Sequence, residues 1–216
     1  MASKRASGGA PYARQVFVNC PYDDAYLPLL RILVFAIHAS GFRARLAVEE
    51  TNSAKPRLER IVELIRQCKL GIHDLSRVQT HDVSDLPRFN MPFECGVFVG
   101  AQMFGEAKHR SKAFLLLEAE PHRAQKTLSD AAGLDPRVHG NSPENLVACV
   151  RDFLADHIDP RPLGAAHLFA MYGEFDTAYP ALAHRFGHEP ERLRALETFA
   201  DWRWIAATWL AERAAA

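Results

Sequence analysis

The segment FNMPFECGVFVGAQMFG, residues 89–105, holds one side chain of ordinary charge, Glu94. A lone carboxylate among apolar neighbours is costly unless it is paired or opens onto a cleft. Read as a helix, the segment has Asn90 as N-cap and Pro92 in its first turn. Glu94 then ends that turn, where the helix dipole favours an anion. The structural alternative is that Glu94 caps neighbouring amides or pairs with an arginine. The apolar character of this helix on nearly all sides predicts burial. Gly96 and Gly100, four apart, read as places where the helix approaches a sheet closely.

Groups that could work beside Glu94 sit where apolar β-type runs end. These are Asn19-Cys20-Pro21-Tyr22-Asp23-Asp24, Glu49-Glu50, Asp74-Leu75-Ser76 and Glu118. Arg123, Asp130 and His139 follow the last of them and could reach a base or phosphate. Each has a plainer reading as a turn, cap or solvated loop residue, and His73, inside an alternating run, reads as a satisfied buried histidine. His184 and His188 are four apart, but Gly187 interrupts their helix and no third ligand is near, so no metal site is assigned. The first strand is followed by neither GxGxxG nor GxxxxGK[ST], which disfavours a dinucleotide dehydrogenase and a P-loop NTPase. The absence of GxSxG disfavours an α/β-hydrolase.

The elements that must carry these residues alternate in period. Gln15 to Asn19 is a β-rich run; Leu30, Leu33, Val34 and Ile37 follow helical spacing up to Gly41. Phe42 to Val48 reads as a second strand. Pro56 can start a helix with Leu58, Ile61, Val62 and Ile65 on one face. Lys69 to Leu75 is a third strand, and the long polar run Arg77 to Phe89 precedes the Glu94 helix, Asn90 to Phe104. Lys112 to Leu117 reads as a fourth strand, His122 to Ala132 as helical, Arg137 to His139 as a short fifth strand. Ser142 to His157 reads as a helix with Ser142 as N-cap and Pro143 at N1. Strand–helix alternation predicts an α/β fold: a doubly wound, mostly parallel, flavodoxin-like sheet of about five strands. In such a sheet the ligand sits beyond the carboxyl ends of the strands, where strand order reverses. Asp159-Pro160-Arg161-Pro162 marks a boundary. After it, His167 to Phe186 and Pro190 to Arg213 read as helices, with Trp202, Trp204 and Trp209 in the last. The expected organisation is a disordered tail over 1–14, an α/β domain over 15–158, and a helical extension over 163–216.

Composition agrees with a globular chain. The 216 residues include 26 Lys plus Arg against 26 Asp plus Glu, with 48% hydrophobic residues. A zero formal charge argues against duplex nucleic acid as a partner. The longest apolar stretch, Leu27 to Ile37, contains Arg31 and is too short to span a bilayer, so no membrane partner is expected. Cys20, Cys68, Cys95 and Cys149 are scattered and form no CxxC pair, which suits a reduced, cytoplasmic protein without disulfides or zinc.

Three segments carry a resemblance: VFVNCPYDD at the first strand, CKLGIHDLS at the third, and FNMPFECGVFVGA after it. Together they resemble the Rossmann-like group that joins nucleoside 2-deoxyribosyltransferases to TIR domains. More closely, Val16 to Leu154 resembles short bacterial proteins of this type, through EPHRAQKTLSDAAGLDPRVHGNSPENL as well. The resemblance maps the group's catalytic glutamate onto Glu94. It implies hydrolase or transferase chemistry at an N-glycosidic bond of NAD or a nucleoside or nucleotide, which would be substrate and not cofactor. Such bonds break through an oxocarbenium-like transition state that a carboxylate can attack or stabilise. Asn19, Asp23, Asp74, Ser76 and Asn90 are then the positions to hold ribose hydroxyls, with Tyr22, Glu49, Arg123, Asp130 and His139 in a second rank. A homo-oligomer and a role in bacterial defence are also implied by the resemblance. The alternative it allows is a non-catalytic nucleotide-sensing or protein-interaction module. The chain departs from the group in having no Trp-Cys pair before the glutamate and no PGGxGTxxE pattern.

Overall fold

A computed structural model describes residues 11–49, 54–77, 89–126, 128–129 and 133–215. Five strands form one sheet: β1 (Gln15–Asn19), β2 (Arg43–Arg45), β3 (Leu70–Asp74), β4 (Ala113–Glu118) and β5 (Arg137–Val138). Every pairing is parallel, and the order is β2-β1-β3-β4-β5. This is the doubly wound α/β architecture expected from the alternation. The reversal of strand order falls between β1 and β3, so their carboxyl ends, Asn19 and Asp74, flank the natural ligand crevice.

The pleat sorts the two faces. Val16 and Val18 of β1 point into a core shared with α1 (Leu27–Ala39) and α4 (Pro143–Ala155), while Phe17 points to the opposite side. There it meets Ile61, Leu64 and Ile65 of α2 (Arg57–Gln67) and Phe98 of α3 (Asn90–Phe104). Ser142 caps α4, its Oγ accepting from the Asn145 amide at 3.3 Å, with Pro143 as the first helical residue.

The region after the boundary is α5 (Ala165–Arg185), two 3-10 turns at Arg192–Arg194 and Leu196–Thr198, and α6 (Phe199–Ala215). It does not stand apart. Phe175 of α5 stacks on Phe35 of α1 at 5.4 Å and meets Trp202 of α6 edge-on at 5.9 Å. This covering explains why nearly every residue of α1 is buried and why its sequence is apolar around most of its circumference. Trp202 packs in this core, whereas Trp204 is half exposed against Phe186.

Several expectations need correction. The second strand is only Arg43–Arg45, because the Glu49 carboxylate accepts the Leu46 amide at 2.7 Å and curls Ala47–Glu49 into a 3-10 turn. Of the helix expected over His122 to Ala132, a 3-10 turn at Ala124–Lys126 is present, anchored by the Glu118 carboxylate on the Ala124 amide at 2.6 Å; residues 127 and 130–132 lie outside the described residues. Helix α3 is not buried all round: Met91, Glu94, Cys95 and Phe98 face inward, while Phe93, Met103 and Phe104 are exposed. Gly96 and Gly100 lie in open space, with no atom within 4 Å of an added Cβ. The glycine that lets α3 approach the sheet is Gly71 of β3, where a Cβ would stand 2.8 Å from His73 Nε2 and 2.9 Å from Phe98 Cζ. Of the tail expected over 1–14, residues 1–10 lie outside the described residues, and Tyr12–Arg14 forms a 3-10 turn whose Tyr12 carbonyl accepts the Lys69 amide at 3.2 Å.

Candidate functional site

A cleft of about 440 Å³ opens at the β1/β3 crossover, lined by Asn19, Cys20, Tyr22, Asp23, Arg57, Asn90, Met91 and Glu94. Three elements build it: the turn leaving β1, the start of α2, and the first turns of α3. Of the residues singled out from sequence, Asn19, Tyr22, Asp23, Asn90 and Glu94 are brought together here.

Glu94 is buried, and its Oε1 accepts from Arg57 Nη2 at 3.1 Å. Burial raises the Glu94 carboxyl above its usual range, and the Arg57 guanidinium offsets only part of that effect. Asn90 does not cap α3: the preceding Phe89 is itself helical, no side chain caps the end, and Asn90 stands exposed as the first helical residue on the cleft wall.

Asn19 ties β1 to α3. Its amide nitrogen donates to the Met91 carbonyl at 2.8 Å and lies 3.0 Å from His73 Nδ1. Both amide protons are therefore committed, and what Asn19 can offer a ligand is its Oδ1 acceptor. His73 itself is walled edge-on by Phe17, Phe98 and Phe114. Burial first, and then the Lys112 charge, lower its pKa to about 3, so the ring is neutral and fixes the Asn19 amide. Asp23 Oδ1 accepts the Tyr26 amide at 3.0 Å, closing the turn into α1, and its Oδ2 lies 3.9 Å from Arg77 Nε. Cys20 lines the cleft, but burial, followed by the charges of Asp74, Glu94 and Asp23, pushes its thiol well up. It is a protonated thiol and an unsuitable nucleophile.

The remaining positions are elsewhere. Asp74 and Ser76 do not line the cleft; both are buried with His139. His139 Nε2 lies 3.1 Å from Asp74 Oδ2 and 3.0 Å from Ser76 Oγ, while its Nδ1 accepts the Asn141 amide at 3.1 Å. The proton thus sits on Nε2 and is shared between Asp74 and Ser76. Because Asp74 and Ser76 meet the same ring nitrogen, the three do not form a relay triad. The Tyr26 hydroxyl also donates to Asp74 Oδ2, and the Ser76 amide to Oδ1 at 2.9 Å. Burial opposes the Asp74 charge, but the hydrogen bond from His139, with those from Ser76 and Tyr26, more than offsets it and holds the carboxyl below its usual range. This network stitches the ends of β3 and β5 to α1.

Glu49 is likewise a staple, bound by Arg45 at 3.0 Å and by Arg203 of α6 at 2.5 Å. Arg123 is paired with Glu120 at 2.6 Å and does not line the cleft. Asp130 lies outside the described residues.

Sequence reasoning missed Arg57. The available signal was its position directly after Pro56, at the start of the helix that follows the second strand. It also missed Tyr26, the buried donor to Asp74. Among the described residues no group of three or more His, Cys, Asp or Glu side chains could hold a metal, and no helix is long and apolar enough to cross a membrane. Compared with family models, curated proteins and solved structures, the chain matches none.

Proposed function

We propose that the cleft breaks or exchanges an N-glycosidic bond of a nucleoside or nucleotide, NAD included, with Glu94 as nucleophile or cation stabiliser. The observation that carries this is a buried carboxylate in the first turns of α3, at the sheet crossover, facing a cleft whose other polar groups are hydrogen-bonding and uncharged apart from Asp23 and Arg57. Arg57 engages Oε1, so Oε2 is the atom assigned to attack. It bonds to C1′ as the glycosidic C–N bond breaks and the base departs with the electron pair. Water, or the nitrogen of a second base, then displaces the carboxylate from C1′ and yields the free sugar or a new glycoside. In this reading Asn19 Oδ1 and Asn90, both lining the cleft, hold sugar hydroxyls while charge builds. The Tyr22 hydroxyl keeps its proton, because burial and then nearby negative charge, Glu94 included, push it well above the ordinary phenol range. It can serve as a donor.

The test is incubation of the purified protein with NAD and a panel of nucleosides and nucleotides, followed by mass spectrometry for released base, with Glu94→Gln alongside. Glu94-dependent release supports the reading; release that survives Glu94→Gln removes Glu94 from it. One observation favours a second reading: the carboxylate already has a cationic partner, which suits a cleft that binds a nucleotide without turning it over. Tight binding with no product in any sample would select that reading.

A further inference from the structure

A second cavity, about 490 Å³, adjoins the Glu94 cleft and is lined by Tyr22, Ala47, Val48, Arg57, Arg60, Leu196 and Glu197. The two share Tyr22 and Arg57, so those side chains form a partition and not an outer wall. Each volume lies within the roughly 300–1,000 Å³ of small-molecule sites.

Its walls have three distinct chemistries. Arg57 and Arg60 are three apart on α2 and therefore on one face. Two guanidiniums at that spacing present forked donors to a phosphate. Ala47 and Val48, from the turn after β2, face Leu196 and leave an apolar slot. Glu197, an exposed lining residue, offers an acceptor to a hydroxyl or an amino group. Leu196 and Glu197 come from the 3-10 turn before α6, far from the other lining residues in sequence. Their placement is firm, because Arg203 of α6 donates to the Ala44 carbonyl at 3.2 Å and pairs with Glu49 at 2.5 Å. The C-terminal helices are thereby clamped to the β2 edge, beside the cavity.

We infer that the Glu94 cleft is the first of two contiguous subsites, and that the second takes the phosphate and far group of a two-part nucleotide: Arg57 and Arg60 on the phosphate, Leu196 and Val48 on the far group. This rests on the reading of the Glu94 cleft as a glycoside site. It makes the C-terminal helices part of the binding surface and favours a pyrophosphate-linked dinucleotide over a mononucleotide, and a mononucleotide over a nucleoside.

The experiment measures binding by calorimetry to the full chain carrying Glu94→Gln, which keeps the cleft without turnover. The probes are NAD, its mononucleotide half and the corresponding nucleoside. Arg60→Gln should weaken both phosphate-bearing probes at least about tenfold and leave the nucleoside unchanged. Leu196→Asp should weaken NAD alone. Thermal melting of each variant separates lost binding from lost folding, and the nucleoside serves as an internal control for an intact first subsite. Equal weakening of all three probes, or no weakening of any, overturns the inference. Glu94-dependent turnover that ignores Arg60 and Leu196 overturns it while leaving the glycoside reading in place. Arg60-dependent binding with no turnover by the Glu94-bearing protein does the reverse. Failure of every probe to bind removes both.

Discussion

The Arg57–Glu94 pair makes a sharp quantitative test of the site, independent of any substrate. Two unit charges about 4 Å apart attract by about 4 kcal/mol at an effective dielectric near 20. Glu94 is 6% exposed but Arg57 is 51% exposed, so solvent screens much of that attraction. The expected coupling is ~1–2 kcal/mol, between the values typical of surface pairs and of buried ones. It is read from a double-mutant cycle of Arg57→Met and Glu94→Gln by urea unfolding at pH 8 and pH 4. The sign follows from burial. Glu94 has a folded pKa raised above its ordinary 4.5, so its contribution favours folding at low pH and is lost as pH rises through the folded value. At pH 8 Arg57→Met strands an ionised carboxylate and costs the full coupling. In the Glu94→Gln background the same change costs little. At pH 4 Glu94 is protonated in the folded state and the coupling falls toward zero. Glu94→Gln alone is expected to be at least as stable as the parent at pH 8. A coupling below about 0.3 kcal/mol at pH 8 would be within ordinary additivity. That result, or a coupling equal at both pH values, would refute the burial argument for Glu94.

Other expectations follow from the same geometry. If Glu94 acts as an ionised nucleophile, the acid limb of kcat/KM should titrate above 4.5, and Arg57→Met should move it further up. Tyr26→Phe removes a buried donor from Asp74 and should cost about 1.5–3 kcal/mol at pH 7. Asp74 is depressed below its ordinary 3.8, so it stabilises above that value and the loss should shrink as acid protonates it, measured by unfolding across pH. Gly71→Ala should overpack the β3–α3 contact and destabilise by about 1–3 kcal/mol, whereas Gly96→Ala and Gly100→Ala should be neutral or stabilising, checked by melting temperature. Phe175→Ala should cost about 3–5 kcal/mol in urea unfolding, since the ring is buried against Phe35, Tyr179 and Trp202.

The fold was largely readable because period is a local property. The β1 run and the α3 span coincide with their sequence expectations, and Ser142 caps α4 as its type and place suggest. What escaped depends on long-range partners. Whether Asp74 faces a ligand or a histidine is decided by His139, 65 positions on, and no periodicity reveals that. Gly96 and Gly100 looked like packing residues because spacing alone does not say which helix face meets the sheet. The cleft's membership was legible where chain topology dictates it, at the end of β1 and the start of α3. It was illegible for Arg57, whose role comes from a contact between α2 and α3 with a residue 37 positions on.

The burial of α1 on both sides has a consequence for how the chain comes into being. One side of α1 rests on the sheet, and the other is covered by α5 and α6, which follow it by more than a hundred residues. Arg31, midway along α1, even gives its guanidinium to the carbonyl of Arg194. During synthesis, the outward row of α1 therefore waits, exposed, until the last helices leave the ribosome. All five strands precede α5, so the sheet can form while one side of α1 is still bare, and that interval is when the chain is most exposed to aggregation.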